Sequence, residues 1–502
     1  MTESGKNSVA EEAGAYLRTD HLADDLAGRS VRGGALTVAA QGGYFVIQLA
    51  GTVVLARLLR PGDFGLVAMV TAITGFVMLF KDLGLAVATV QKKDITHEQV
   101  SMLFWVNVAA SVAAMAVTAA MAPAVAWFYG EPQLAWVTVA LAGTFVFGGL
   151  GVQHYALLRR QMRFGTLATV HVCSAAVGVA AGVVSAWMGA GYWALVVMQA
   201  ATVVAGSAGV WLASGWRPGR PARGAGGRSL LAFGGHLAGF NILNYIGRNL
   251  DNVLIGWYWG ASPLGFYSKA YNMLTLPLRQ ISTPVGLVAV PALSRLQNDP
   301  ARLRSYYLKT LALVTFCTTP LSVVCLLFAE EIITVFLGSQ WLAATGIFRL
   351  LAIGAIAQPI SFTTGWLFMA VGRTREMLQW GAVGVSIIVA SFIIGLPYGP
   401  KGVALCYSCA VLIWVVPGMY FAVRGTGISL MDAFGAAAPP VVATAIAAPA
   451  ALAIKWWLGP EMPLWATLGL GAAAMAVVYL AAVLYLFGKK EFYLSVWRSL
   501  ME

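Results

Sequence analysis

Long apolar segments separated by short polar connections dominate the hydropathy pattern of this chain. A helix that spans a bilayer needs about 20 apolar residues, whereas a membrane β-barrel would show alternating polar and apolar positions. The pattern therefore predicts an all-α polytopic membrane protein with about 14 transmembrane helices. The predicted spans are residues 33–57, 64–90, 100–128, 134–158, 165–188, 191–214, 230–259, 263–293, 306–328, 341–371, 376–396, 401–423, 434–457 and 463–487.

Matching motifs indicate an internal duplication with a period of about 200 residues. The matched pairs are Arg60–Val67 with Gly260–Tyr267, Arg159–Phe164 with Gly372–Met377, and Gly191–Leu195 with Gly402–Leu405. The members of each pair lie six spans apart, and an even separation keeps both copies in the same direction across the bilayer. The sequence therefore predicts two parallel six-helix repeats, an N lobe and a C lobe, followed by two C-terminal helices. In transporters built this way the substrate path lies between the lobes.

Basic residues concentrate in alternate connections, which places both termini in the cytoplasm. The predicted organisation is a cytoplasmic tail (1–32), the N lobe (33–214), a basic cytoplasmic linker (215–229), the C lobe (230–424), two helices (434–487) and a cytoplasmic tail (488–502). The linker is rich in Gly, Pro and Arg and is expected to be flexible and solvated. The polar N-terminal tail lacks the apolar segment of a signal peptide.

Composition agrees with a membrane protein, because 59% of the residues are hydrophobic and only 10% are charged. Soluble domains contain about 25% charged residues. A net charge of +12 would suggest nucleic acid as the partner of a soluble protein. Here the charge follows from the basic connections of one membrane side, so no nucleic-acid partner is expected.

The segment 230–259 is long enough to cross the membrane and yet carries a polar face. At about 100° per residue this face contains Asn241, Asn244, Tyr245, Arg248 and Asn252, with Asp251 at its edge. A helix of this kind at membrane depth should face a watery cavity or a polar partner.

The first predicted span carries a neutral counterpart of this polar face. In the repeat, Gln41, Tyr44 and Gln48 occupy the positions of Asn241, Asn244 and Arg248. The first helix of each lobe is therefore expected to turn a polar stripe inward. Only the stripe of the second lobe contains charged residues.

Cations outnumber carboxylates inside the predicted spans. The cations considered are Lys81, Arg248, Arg279 and Arg349, and the carboxylates are Asp82 and Asp251. A charge at the bilayer centre costs about 2.5–3.5 kcal/mol, so each needs a reason to be there. Internal pairs, Arg248 with Asp251 and Lys81 with Asp82, are one explanation. The remaining positive charge favours an anionic ligand, and arginine suits phosphate in particular.

The sequence contains few motifs that could couple transport to an energy source. No Walker A motif is present, and the histidines lack metal-ligand spacing, so neither ATP hydrolysis nor a metal or other cofactor is expected. Asp251 or Asp82 is a candidate for coupling to a proton or a sodium ion. Pro277, Pro284, Pro291 and Pro359 serve either as hinges or as static kinks.

Four motifs resemble the Wzx-type polysaccharide flippases of the multidrug/oligosaccharidyl-lipid/polysaccharide exporter superfamily, in particular the colanic-acid exporter type. They are Leu55–Gly65, Lys81–Ala86, Gly247–Gly256 and Leu264–Tyr271. The similarity runs from about Gly33 to the twelfth span. It implies a multi-pass protein of the bacterial inner membrane that moves an undecaprenyl-diphosphate-linked oligosaccharide between leaflets by alternating access, for exopolysaccharide or lipopolysaccharide biosynthesis.

This resemblance fits the charge argument, because a diphosphate is the group that a cationic cavity should accept. Arg248 and Arg279 are then the first candidates for diphosphate binding, with Lys81 and Arg349 second. Asn241, Asn244, Asn252, Gln41 and Gln48 would line the polar cavity. Membrane lipids are expected partners, and a polysaccharide polymerase and a chain-length regulator are further candidate partners.

Two other functions stay open at the level of sequence. A multidrug-type cation antiporter of the same superfamily should have an acidic cavity, which the excess of positive charge disfavours. A membrane polysaccharide polymerase would be an enzyme and usually carries a sizeable external loop, whereas the outward connections here are short. The chain is therefore predicted to be a transporter and not an enzyme.

Overall fold

The computed structural model describes residues 26–79, 86, 89, 90, 92, 95–220, 227–458 and 462–491. Within these residues the chain forms helices and short turns, with no strand. The chain divides into two compact units, Met1–Asn249 and Leu250–Glu502. The predicted tails 1–32 and 488–502 lie largely outside the described residues.

The described residues of the first unit form six long helices and most of a seventh. They are α1 (Leu26–Leu58), α2 (Pro61–Met78), α3 (His97–Tyr129), α4 (Leu134–Arg160), α5 (Phe164–Trp187), α6 (Trp193–Ser214) and the beginning of α7 (Gly227–Trp259). Helix α1 begins at Leu26, ahead of the predicted span 33–57. The main packing pairs are α5 with α6, α3 with α4, α1 with α5, and α4 with α6.

The described residues of the second unit contain the end of α7 and nine further α-helices. They are α8 (Ala261–Arg295), α9 (Pro300–Leu327), the short α10 (Ala329–Ile332), α11 (Ala344–Ala355), α12 (Gln358–Ala370), α13 (Thr374–Gly395), α14 (Gly399–Val423), α15 (Leu430–Leu458) and α16 (Leu464–Ala481). Its packing pairs α13 with α14 and α12 with α14 repeat the pairs α5 with α6 and α4 with α6 of the first unit.

Length and apolar composition agree with a polytopic membrane protein. In the part of the chain that the structure describes, 11 segments are long and apolar enough to cross a membrane, or up to 12 if a bent pair counts as one span. One of these segments, Thr374–Val423, contains both α13 and α14. The predicted fold class is therefore confirmed, and the number 14 is approximate.

The prolines act differently in the two places where the sequence singled them out. Helices α11 and α12 form the bent pair, with an angle of 44° between them, and Pro359 lies in the first turn of α12. Helix α8, in contrast, continues through Pro277, Pro284 and Pro291 without a break. Of these prolines, only Pro359 therefore lies at a sharp bend.

The same turn joins α4 to α5 and α12 to α13. Met162 has a φ of 55° and Gly372 a φ of 73°, and each is followed by an arginine, Arg163 or Arg373. A left-handed backbone costs little for glycine and more for methionine. This turn confirms the repeat and corrects its register, because Arg163 corresponds to Arg373, whereas the motif comparison aligned Arg160 with Arg373.

Each of these arginines binds the end of a neighbouring helix. The Arg163 guanidinium donates to the carbonyl oxygen of Ala213 in α6 at 3.0 Å. Arg373 donates to the carbonyl oxygen of Ala422 in α14 at 3.2 Å and also forms an ion pair with Glu376. The last carbonyl groups of a helix have no partner within it, so these contacts satisfy groups that would otherwise need water.

The first part of the basic linker packs against α3. The prediction that the linker is flexible is therefore wrong for this part. Trp216 is 2% exposed, and its indole nitrogen donates to Nδ1 of His97 at 3.0 Å. The carbonyl oxygen of Trp216 lies 3.2 Å from Nε2 of His154, which stacks on Trp211. His154 is therefore a packing residue. Residues 221–226 lie outside the described residues.

Helices α5 and α6 approach closely through small residues. A Cβ at Gly178 would lie against the hydroxyl of Thr202 and 2.8 Å from the carbonyl oxygen of Met198. One at Gly182 would lie 2.8 Å from the Met198 side chain. This is the small-residue spacing that lets membrane helices approach backbone to backbone.

The Gly178→Ala variant should be less stable by about 1–3 kcal/mol, because the added methyl group has no room between α5 and α6. The measurement is unfolding of the detergent-solubilised protein in a denaturant titration. Gly143→Ala in α4 is the control, since nothing lies within 4 Å of a Cβ there. That control should be neutral or stabilising by up to about 1 kcal/mol. Equal stability of the two variants would contradict the close contact.

Candidate functional site

Tyr245 joins α7 to α2 within the first unit. Its hydroxyl donates to the carbonyl oxygen of Ala72 at 2.8 Å and contacts that of Thr71 at 3.3 Å. This member of the predicted polar face is therefore used for helix packing. Asn244 beside it is half-buried, and the side chain of Asn241 lies outside the described residues.

Arg248 lies one turn further along α7 and is exposed. Among the side chains that the structure describes, it has no hydrogen-bond or ion-pair partner. It precedes the end of α7 at Trp259 by about 16 Å of helix, given a rise of 1.5 Å per residue. The Arg248 side chain is therefore exposed about three helical turns before the end of α7.

Asp251 is the buried carboxylate of the second unit, with only 3% of its surface exposed. Its Oδ2 accepts a hydrogen bond from the hydroxyl of Tyr267 at 2.8 Å, and its Oδ1 accepts one from the backbone N–H of Asn252 at 2.8 Å. It forms no ion pair with any described residue, so the predicted alternative of a pair between Arg248 and Asp251 is wrong. The Asn252 side-chain oxygen is also buried, without a partner in the described part of the chain.

A group of tyrosines surrounds this carboxylate. The rings of Tyr267 and Tyr271 stack with centroids 6.4 Å apart, and Tyr407 of α14 meets the Tyr271 ring edge-on at 6.2 Å. A buried carboxylate held by hydrogen bonds and no cation costs stability, which marks it as a functional candidate. Sequence reasoning missed these tyrosines, although Tyr267 and Tyr271 are four residues apart and therefore share a face of α8.

The other predicted cations fall into two groups. Arg279 in α8 and Arg349 in α11 are exposed, and neither has a hydrogen-bond or ion-pair partner among the residues described. Arg279 is close to the middle of its helix, which runs from Ala261 to Arg295. Lys81 and Asp82 lie outside the described residues.

The polar stripe of α1 packs against α5 in the first unit. The Gln48 amide donates to the hydroxyl of Tyr44 at 3.1 Å, and the Tyr44 ring stacks on His171 with centroids 4.2 Å apart. Gln41 is half-buried and also has an interaction partner. These residues are therefore held by the fold, in contrast to Arg248 at the corresponding stripe of α7.

The first unit also contains a cavity of about 760 Å³, lined by α4, α5, α6, Ala86 and Val90. Its lining includes none of the candidate residues predicted from the sequence. Arg159 lies at one end, and His171 lines the wall. The sequence signal available for this cavity was Arg159, the first arginine of the Arg159–Arg160 pair. It lies at the end of a span whose preceding turns are rich in glycine.

A family described as polysaccharide biosynthesis proteins matches residues 54–345, which is more than half of the chain. The chain belongs to this family.

Two relatives of this polysaccharide biosynthesis protein extend the match. The teichuronic acid biosynthesis protein TuaB of Bacillus subtilis (strain 168) is 27% identical over 342 residues, 67% of this chain and 70% of TuaB. The lipopolysaccharide biosynthesis protein WzxC of Escherichia coli (strain K12) is 24% identical over 355 residues, 70% of this chain and 71% of WzxC. The resemblance to Wzx-type exporters is therefore confirmed.

The fold resembles that of a known flippase. The lipid II flippase MurJ, in an inward closed conformation, superposes with a TM-score of 0.72 and 15% sequence identity. The alignment covers 93% of this chain and all (100%) of MurJ. At this level of identity the likeness shows the fold, and with the hydropathy it identifies a multi-pass membrane protein.

Tyr267→Phe should destabilise this polysaccharide biosynthesis protein by about 1–3 kcal/mol, because Asp251 loses a hydrogen bond inside the protein. The measurement is denaturant unfolding of the solubilised protein. Tyr258→Phe is the control, since Tyr258 is 55% exposed and should change stability by less than about 0.5 kcal/mol. If Asp251→Asn and Tyr267→Phe had fully additive effects, the two side chains would not be coupled as described.

Proposed function

We propose that this protein is a flippase that moves an undecaprenyl-diphosphate-linked oligosaccharide repeat unit across the bacterial inner membrane, for exopolysaccharide or lipopolysaccharide biosynthesis. The observation that carries the proposal is the pair of exposed arginines, Arg248 and Arg279, which lie far from the ends of α7 and α8 and have no acidic partner among the described residues. In this proposal both arginines contact the diphosphate group that must cross the membrane. WzxC and TuaB act in the biosynthesis of bacterial surface polymers, and MurJ is a lipid II flippase, which supports the same class of substrate.

In this proposal Arg248 and Arg279 bind the diphosphate, with Arg349 and Lys81 as secondary contacts. Arginine is suited to this role because its planar guanidinium forms two parallel hydrogen bonds with phosphate oxygens. Asn241, Asn244 and Asn252 provide hydrogen bonds for the sugar. Gln41 and Gln48 also line this polar cavity in the proposal, and they would exchange their present partners for the sugar. The prenyl chain stays in the surrounding lipid.

The proposed topology places the protein in the inner membrane with both termini in the cytoplasm. The substrate enters from the cytoplasmic leaflet and leaves from the outer one by alternating access. A polymerase and a chain-length regulator would use the released product. The protein itself then performs no catalysis and needs no cofactor, in contrast to a membrane polysaccharide polymerase.

Asp251 is the proposed site of ion coupling, with Asp82 as the second candidate. The Asp251 carboxylate is buried and hydrogen-bonded to Tyr267, and the adjacent Asn252 oxygen has no partner among the described residues. A proton or a sodium ion bound there would remove the cost of burying the negative charge. Binding of the ion would thereby favour one conformation of the surrounding helices.

The alternative is a multidrug-type cation antiporter. Such a protein needs carboxylates that face the transported cation, whereas the exposed ionic residues of α7 and α8 discussed above are arginines. Deletion of the gene should therefore abolish a surface polysaccharide without changing drug sensitivity. A drug-sensitive deletion strain with normal polysaccharide would favour the antiporter.

Arg248→Ala should reduce transport by about tenfold or more, since a charge-assisted hydrogen bond contributes about 1.5–3 kcal/mol. Polysaccharide per cell is measured in a deletion strain complemented with each variant, at matched protein level. Arg248→Lys should recover part of the activity, and Arg302→Gln is the control, because Arg302 forms only an exposed ion pair with Asp299. Full activity of Arg248→Ala and Arg248→Lys would remove Arg248 from the site.

Asp251→Asn should abolish the dependence of transport on an ion gradient while leaving the protein folded, because the amide retains a hydrogen-bond acceptor for Tyr267. The measurement is movement of a fluorescent lipid-linked oligosaccharide in proteoliposomes with an imposed sodium or proton gradient. The wild-type rate should rise with one of the two gradients. An unchanged gradient response in Asp251→Asn would exclude this carboxylate.

A further inference from the structure

Three arginines surround the turn between α4 and α5, and only two of them are bound within the protein. Arg160 is buried and donates to the carbonyl oxygen of Thr89 at 3.1 Å, and Arg163 donates to that of Ala213 at 3.0 Å. Arg159 is exposed and has no hydrogen-bond or ion-pair partner among the residues that the structure describes. Arg160 and Arg163 are therefore accounted for by hydrogen bonds to backbone carbonyl oxygens, and Arg159 needs another explanation.

Arg159 lies at one end of the 760 Å³ cavity of the first unit. The cavity extends along α4 from Arg159 to Gly148, which corresponds to about 16 Å of helix. This is about half of the 30 Å hydrocarbon thickness of a bilayer, and therefore the depth of one leaflet. On the predicted topology the Arg159 end faces the cytoplasm.

The wall of the cavity is mostly apolar, and its polar members besides Arg159 are Tyr155, His171, Ser174, Thr202 and Ser207. It is formed mainly by small and aliphatic residues of α4 and α6, such as Gly151, Val203 and Gly206. The hydroxyls of Ser174 and Thr202 are bonded to carbonyl oxygens of their own helices, at 3.0 and 2.8 Å. They therefore make little demand on a ligand, and a hydrocarbon chain is compatible with the wall.

We propose that this cavity is a binding site for an anionic phospholipid of the cytoplasmic leaflet. One acyl chain occupies the cavity, and the headgroup phosphate contacts Arg159. Basic pockets between membrane helices on the cytoplasmic side bind anionic headgroups in this way. The volume lies within the range of about 300–1,000 Å³ that is usual for ligand cavities. The one-leaflet depth favours an acyl chain over the much longer undecaprenyl chain.

This site shares no residue with the proposed diphosphate site, so it does not depend on the proposed function. Its ligand is a resident lipid that stabilises the packing of α4, α5 and α6, whereas the transported lipid meets Arg248 and Arg279. Loss of the resident lipid should therefore affect stability first and transport second.

The test is native mass spectrometry of the full chain released from nanodiscs with equal amounts of phosphatidylglycerol and phosphatidylcholine. The wild type should retain phosphatidylglycerol over phosphatidylcholine by about fivefold, which corresponds to about 1 kcal/mol for one arginine at a lipid phosphate. Arg159→Gln should abolish this preference. Arg295→Gln is the matched control, because Arg295 is also an exposed arginine at the end of a helix, without a described partner and outside the cavity.

A second variant tests the chain-binding part of the site. Gly206→Leu should fill the cavity and remove the retained lipid, because a Cβ at Gly206 has its nearest neighbour at 3.6 Å. Val203→Phe takes its place if Gly206→Leu does not fold. An unchanged preference in Arg159→Gln, or unchanged retention in the folded cavity variant, overturns the proposal. Displacement of phosphatidylglycerol by equimolar undecaprenyl phosphate would assign the site to the substrate lipid instead.

Discussion

The carbonyl groups at the ends of membrane helices impose the main constraint on this structure. A helix leaves its last four carbonyl oxygens without internal partners, and lipid offers none. In each unit an arginine that follows a left-handed residue reaches across to such an end, Arg163 to α6 and Arg373 to α14. These contacts fix the helix pairs α5–α6 and α13–α14, and the cavity of the first unit is built on the first pair.

The polar residues of the two units fall into two groups, those with a hydrogen-bond partner in the protein and those without one among the residues described. Tyr245, Tyr44 and Gln48 satisfy one another or backbone groups, and they hold helices together. Arg248 and Arg279 are exposed and have no such partners among the residues described. Residue type alone does not separate these roles, because a tyrosine or an arginine is suited to both. The hydrogen-bond partners make the distinction.

Much of the fold could be predicted from the sequence, because hydropathy and the repeat are local signals. The span limits, the duplicated motifs and the bend before Pro359 all depend on residues within one segment. The prediction of a flexible linker was wrong at Trp216 because the burial of this residue depends on His97, which is more than 100 residues away. The environment of Asp251 was missed for the same reason, since Tyr407 comes from α14. The predicted alignment of Arg159–Phe164 with Gly372–Met377 was out of register, because the two segments share the geometry of their turn and not the order of their residue types.

The prolines of α8 have a mechanical consequence. Pro277, Pro284 and Pro291 are seven residues apart, and positions at this spacing drift by only about 20° per step around a helix. The hydrogen bonds that they remove therefore lie along one side, and bending at the three sites adds up in a single plane. Gly286, between two of these prolines, packs on Trp366 of α12. Helix α8 should therefore bend more easily in this plane than in others, and α12 is the helix that contacts it between two of the prolines.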